Sequence, residues 1–318
     1  MPFPGAAGIV ACMRKKSTKT VGAAMVMLLI PVIMLSLAGC AGTSRSSADP
    51  GRAREEPIRK TASPALTEVI VIGTVHTATP AYDEQDLYAL LEDLDPDLIL
   101  LELPPSFFTA DYELESYEGS MEMETAHRYA CASGTPLRPY DIEGRNRYYR
   151  EQNWFERERA FLGDLECLYR GDALSEDGKM TARQLYVSYR LRDAFRDQPP
   201  RIINSSACDR VVEIKNKVAS SARVRLTESE PGLEEHREYA ELKRDFWQRR
   251  NRRMVSNIAE YVEEHPGSRI AVLSGFEHTY FLREALAERQ EAGKQEAGSQ
   301  ETGFFSLRYY WEVTDWEG

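Results

Sequence analysis

Val69 to Ile72 is a run of four β-branched residues ended by Gly73. It is too short for a helix and apolar on both faces, the pattern of a strand buried within a parallel sheet. The next segment changes period. From Asp83 to Leu94 the apolar residues Leu87, Leu90, Leu91 and Leu94 recur at helical spacing, and Pro96 stops the run. Leu98 to Leu101 is a second buried strand, closed by Pro104 and Pro105. Residues 119–132 read as a helix and Leu137 to Ile142 as a third strand. A β-α-β-α-β order predicts an α/β fold, a mostly parallel sheet joined by right-handed crossovers.

Beyond Arg145 the texture changes to helical segments dense in Arg, Glu, Tyr and Phe, read as a helical insertion over about 145–230. Glu234 to Glu264 forms one long helix, broken by His265-Pro266-Gly267. Arg269 to Leu273 is another buried strand, followed by a helix from Tyr280 to about Arg289. The low-complexity residues 290–303 read as a loop. Phe305 to Val313 reads as a final edge strand, where antiparallel pairing is allowed.

The first forty residues follow a different logic. Residues 21–39 are almost wholly apolar and uncharged, and Arg14, Lys15, Lys16 and Lys19 precede them. This is the pattern of an export signal rather than of folded structure. Met13 supplies a compact basic start for it. Leu37-Ala38-Gly39-Cys40 resembles the lipobox of bacterial lipoproteins, which implies a signal peptide over 1–39 and a lipidated Cys40. The implied location is the cell envelope, with the chain tethered to the bilayer through lipid. No acidic residue follows Cys40 directly, which by resemblance to lipoprotein sorting favours the outer membrane in a diderm host. Residues 40–65 are rich in small and polar residues and read as a flexible tether to a domain over 66–318.

Removal of the signal would take four of the 40 basic residues and none of the 51 acidic ones, leaving a net charge near −15. So acidic a surface repels phosphate backbones and argues against nucleic-acid binding. Beyond Cys40 only Cys131, Cys167 and Cys208 remain. These are too few for a disulfide scaffold; one bridge is allowed, with its partners open.

Two strands end alike, in Gly73-Thr74-Val75-His76 and Gly275-Phe276-Glu277-His278. Ligands of open parallel sheets bind beyond the carboxyl ends of the strands, so both histidines are expected there. Glu102 follows the apolar Ile99, Leu100 and Leu101 at a third strand end, where a carboxylate is costly unless paired, ligated or solvated. Two imidazoles and a carboxylate converging on one face are natural ligands for a divalent metal such as Mn, Co, Zn or Fe. Any one of them alone is more often a hydrogen-bonded structural residue; the joint pattern carries the metal reading. Asp141 sits at another strand end, where a capping role competes with a place in the cluster. His127 reads as a partly buried helix residue, and His236 and His265 as surface positions. The stretch from Arg145 to Arg159 reads as the packing and solvated faces of a helix, ahead of a ligand-covering lid.

Taken in order, GTVH at 73–76, LLELP at 100–104, RNRRM at 250–254 and GFEH at 275–278 resemble the TraB/Tiki superfamily. Its relatives include the GumN-like and pheromone-shutdown proteins, the ChaN haem-binding lipoproteins and, more distantly, erythromycin esterase. The resemblance spans roughly residues 67–287, with no motif in the middle helical region. It implies a mostly parallel α/β sheet with a helical insertion. His76 and His278 become metal ligands or catalytic groups, Glu102 a ligand or general base, and Arg250 an anion-stabilising residue. The chain departs from the commoner pattern in having GFEH where small residues such as GAGH are usual, which adds the carboxylate of Glu277. It also has Asn251 where relatives often place an acid after the first Arg. Both departures bear on substrate preference.

The function implied is a membrane-tethered, metal-dependent hydrolase, peptidase-like, acting on a peptide or small molecule. The ion would sit between His76, His278 and Glu102 and lower the pKa of bound water. Glu277 or Glu102 would take the proton, and Arg250 would steady the oxyanion. The alternative is a haem- or iron-binding lipoprotein with an axial His or Tyr. No CxxCH is present in the sequence, so haem would be held non-covalently. A non-catalytic interaction module is the third reading.

Overall fold

A computed structural model describes residues 66–115, 119–296 and 305–316. The leader, Cys40 and the tether to residue 65 lie outside the described residues, as do the proposals attached to them. Among the described residues, five strands form one sheet: β1 (Thr67–Thr74), β2 (Leu98–Leu101), β3 (Leu137–Pro139), β4 (Arg269–Gly275) and β5 (Phe305–Arg308), in the order β3-β2-β4-β1-β5. Every neighbouring pair is parallel, β1 with β5 included, so the edge strand is not antiparallel. A short 3-10 turn, Tyr310–Glu312, ends β5 sooner than the alternation of residues 305–313 suggested.

The sheet is buried on both faces, and alternation along each strand assigns side chains to one or the other. Ile70, Ile72, Ala271 and Leu273 face α1 (Glu84–Leu94) and α2 (Met121–Ser133), against Leu87, Leu90, Leu91, Leu94 and Ala126. Val69, Val71, Ile270 and Val272 face α8 (Arg237–Glu264) and α9 (Phe276–Glu296), against Met254, Ile258, Leu282 and Leu286. Asp83 caps α1 by accepting from the backbone N–H groups of Gln85 and Asp86, while Asp86 returns a contact to the cap N–H. This capping box fixes the helix start one residue inside the predicted one.

Between β3 and α8 lies the helical region: α3 (Arg145–Glu151), α4 (Trp154–Arg170), α5 (Glu176–Arg196), α6 (Pro200–Ile203) and α7 (Ser206–Ser229). Helices α4, α5 and α7 share a core of their own around Phe161, Leu165, Leu185 and Leu226. His236, expected at the surface, is buried there. Its Nε2 lies 2.9 Å from Asp164 Oδ2 and its ring meets Phe161 edge-on. The polar neighbours Glu234, Glu235 and Arg237 concealed this, because only the packing of α4 covers the ring.

Helix α8 crosses from one layer to the other. Its first half buries Tyr239 and Phe246 beside Trp154, and its second half buries Met254 to Val262 on the sheet. Arg250 stands at the crossing. Near the carboxyl end of β1, the Asn204 side chain accepts from the Gly73 N–H at 2.6 Å and donates to its carbonyl at 3.1 Å. It replaces a neighbouring strand where the pairing of β5 stops at Ile70, so these buried backbone groups stay satisfied. Helix α9 begins at once after β4 and runs on through Glu296, into the stretch read as a loop. Glu, Ala, Lys and Gln are good helix formers, and the low-complexity reading undervalued them. Cys131 is an exposed free thiol and Cys208 a buried one. Among the described residues, no helix is long and apolar enough to cross a membrane.

Candidate active site at the strand ends

The placement of β4 between β1 and β2 builds the site. Gly73 and Thr74 of β1 align with Ser274 and Gly275 of β4, and Leu101 of β2 aligns with Leu273. Three strand ends, paired across 201 residues (Gly73 with Ser274) and 172 residues (Leu101 with Leu273), thus open on one edge of the sheet.

Glu102 is buried there and both its oxygens are used. Oε2 accepts from the Ser274 hydroxyl at 3.0 Å and from the Gly275 N–H at 2.7 Å; Oε1 accepts from Arg250 Nη2 at 2.6 Å. Arg250, also buried, donates from Nε to Asp141 Oδ1 at 2.9 Å and from Nη2 to Asp141 Oδ2 at 2.8 Å. Its Nη1 lies 3.1 Å from His278 Nε2. Asp141 takes a second guanidinium, Arg145 Nη1 at 2.5 Å. It therefore belongs to the cluster, as an ion-pair partner.

His278 stands in the first turn of α9 rather than in a loop. Its Nδ1 meets Asn251 Oδ1 at 2.7 Å, and the Asn251 amide nitrogen donates to the Trp247 carbonyl at 2.8 Å. The amide orientation places the imidazole proton on Nδ1 and turns the Nε2 lone pair to Arg250. Trp247 stacks on the ring at 4.3 Å between centroids. Burial pushes His278 down to about 4, so the ring is neutral near pH 7. Burial alone would push the Glu102 carboxyl up, but His278 and Arg250 pull harder and hold it at about 2. Near neutrality the His278 ring is uncharged, and the permanent guanidinium keeps Glu102 ionised.

His76 occupies the rim, its side chain 64% exposed. Nδ1 lies 2.5 Å from Oε1 of Glu122, a buried residue of α2. That hydrogen bond raises the imidazole to about 9. The other edge of the ring lies against Gly275: Cε1 and Nε2 are each 3.2 Å, and Glu102 Oε2 3.5 Å, from where a Cβ on Gly275 would stand. Only a residue without a side chain lets the ring come so near. Glu277 lies elsewhere. Its carboxylate pairs with Lys215 and, at 3.8 Å, with Arg192, on the wall of a cavity under the helical region.

As packed, His76, Glu102 and His278 do not fit a divalent ion. The His278 lone pair is taken by Arg250, and Arg250 and Arg145 neutralise Glu102 and Asp141, leaving no net negative charge for a cation. A dication 4 Å from the guanidinium would meet roughly 8 kcal/mol of repulsion at an effective dielectric of 20. Among the described residues the His/acid trio that could hold a metal ion is Asp164, Glu235 and His236, whose donor atoms lie within 4.8 Å of one another.

Glu122, Asn251 and Trp247 are the site residues that sequence reasoning missed. Asn251 lay within the quoted RNRRM run, and Trp247 one helical turn before it. Glu122 had no signal, because its role depends on α2 docking beside the end of β1. The chain matches no protein-family model, no curated protein and no solved structure.

Proposed function

We propose that this protein is a hydrolase whose proton-transfer group is His76, oriented by Glu122 at the open ends of the sheet. The observation that carries the reading is the short His76–Glu122 pair beside Gly275, with the ring exposed to solvent. In such a pair Nδ1 keeps its proton toward the carboxylate, and Nε2 is left to exchange one with water or a leaving group. The negative charge of Glu122 holds the ring as an imidazolium at neutral pH, so Nε2 donates its proton to the departing group while the attacking water loses its own to solvent. Arg250 is a positioning residue here. It is saturated by Glu102, Asp141 and His278, and through Glu102 it fixes the Gly275 backbone beneath the His76 ring. The ordered motif set and its resemblance to the TraB/Tiki superfamily support a hydrolytic reading, and the lipobox-like leader supports a membrane-tethered one. No step is assigned to a metal, because the residues as packed do not fit one.

The test is hydrolysis of p-nitrophenyl acetate and of a mixed peptide library by the purified chain, with and without EDTA. His76→Ala should lower kcat/KM by at least about 100-fold, the ordinary worth of a general acid, and EDTA should change nothing. Absence of hydrolysis, or full activity in His76→Ala, would sink the proposal. Near-stoichiometric transition metal that disappears in the His76→Ala/His278→Ala variant would restore the metal-dependent reading.

A further inference from the structure

The helical region and α8 enclose a cavity of about 250 Å³ that His76 does not line. Its walls carry Lys215 and Arg223 from α7, Arg192 from α5, and Lys243 and Arg244 from α8, with Arg250 at its floor. Only two carboxylates stand among these cations. Glu158 is shared by Arg223, whose Nη2 lies 2.8 Å from Oε1, and Lys243, whose Nζ lies 3.1 Å from Oε2. Glu277 is shared by Lys215 and, at 3.8 Å, Arg192, which is held more closely by Asp193 at 2.6 Å. Arg244 has Asp245, and Arg250 has Glu102 and Asp141 behind it. With Asp193 counted, four cations around three carboxylates leave about one positive charge unmatched. Lys215 and Arg223 are buried, so solvent does little to relieve that excess. Burial and Arg223 push the Lys243 ammonium down to about 8, and burial lowers that of Lys215, as expected where cations crowd without enough anions.

The remaining wall is aromatic, formed by Tyr149, Trp154, Tyr189, Phe246 and Trp247. Flat apolar surface beside unmatched cations suits a molecule with a charged head and a planar body. We infer that this cavity binds a small organic anion, a phosphate monoester or dicarboxylate with an aromatic or otherwise planar body. The head sits among Arg192, Lys215, Arg223 and Lys243, and the body lies against Trp154 and Trp247. This site is independent of the hydrolase reading, because its cations and aromatics are distinct from His76 and Glu122.

The probes are phenyl phosphate and phthalate, titrated by calorimetry into the full chain, with phenol as the uncharged control. Arg192→Gln/Lys243→Gln removes two cavity cations while leaving Lys215 on Glu277 and Arg223 on Glu158, so neither cavity carboxylate is stranded, and Asp193, which loses Arg192, is exposed to solvent. Arg147→Gln/Arg170→Gln makes the same charge change in exposed ion pairs away from the cavity. The expected result is saturable binding of at least one dianion, none of phenol, and weakening of tenfold or more in the cavity double variant alone. Circular dichroism should show both double variants folded. No saturable heat with either dianion, or equal weakening by the surface variant, would overturn the inference. Binding of inorganic phosphate as tight as that of phenyl phosphate would overturn the aromatic part of it.

Discussion

Replacing Arg250 with Met removes the charge at the centre of the strand-end cluster while keeping most of its volume. Asp141 retains Arg145, but Glu102 keeps the Ser274 hydroxyl, the Gly275 N–H and, at 3.6 Å, a His278 ring that is neutral near pH 7. A carboxyl held at about 2 instead of 4.5 contributes about 3 kcal/mol at neutral pH. Breaking a buried ion pair from one side costs about 3–5 kcal/mol, so the two routes agree. The pH dependence gives a sharper check. In the native protein the Glu102 pKa is depressed, so its stabilisation is present above 4.5 and is lost as pH falls toward 2. Without Arg250, burial dominates and the pKa rises above its ordinary value, so acidification relieves the variant. Urea unfolding at pH 7 should therefore show Arg250→Met destabilised by about 3–5 kcal/mol, with a smaller deficit near pH 4. Adding Glu102→Gln to Arg250→Met should recover most of the loss. A deficit below about 1 kcal/mol at pH 7, or no recovery in the double variant, would refute the reasoning.

Three other outcomes are expected. Because the His278 pKa is depressed to about 4, the unfolded chain binds a proton that the folded one refuses; stability should fall from pH 6.5 toward 4, and His278→Gln should flatten that limb in urea titrations. Glu122→Gln should move the His76 resonance titration, followed by NMR, down from about 9 toward the ordinary histidine range, and should shift the alkaline limb of kcat/KM with it. The accompanying stability change should stay within about 1 kcal/mol, since His76 is mostly exposed and screened; an unmoved titration would contradict the assigned pair. Gly275→Ala should push the His76 ring off Gly275, costing about 1–3 kcal/mol by overpacking and lowering hydrolysis more than Ala substitution at the exposed Tyr112 does; native activity in that variant would count against the close approach.

Much of the fold was legible because its signals are local. The β-branched run of β1, the LILL run of β2 and the leucine spacing of α1 each contain their own period, and Gly73, Pro96 and Pro104 punctuate them. His76, Glu102 and His278 were found by their positions at strand ends, which a parallel sheet turns toward one edge. Errors arose where the deciding partner is distant. The parallel pairing of β5 depends on β1, the burial of His236 on α4, and the direction of Glu277 on Lys215 of α7.

Sequence alone thus determined the α/β class, the helical texture beyond Arg145 and the strand-end positions of His76, Glu102 and His278, since periodicity and strand-end placement are properties of short segments. Only the tertiary structure decided which of them meet. By inserting β4 between β1 and β2 and laying α8 across both layers, it placed Arg250 among Glu102, Asp141 and His278, where the motif spacing suggested an ion. A buried guanidinium satisfies two carboxylates and an imidazole at once, and no pattern along the chain records that four side chains from four elements share one desolvated space.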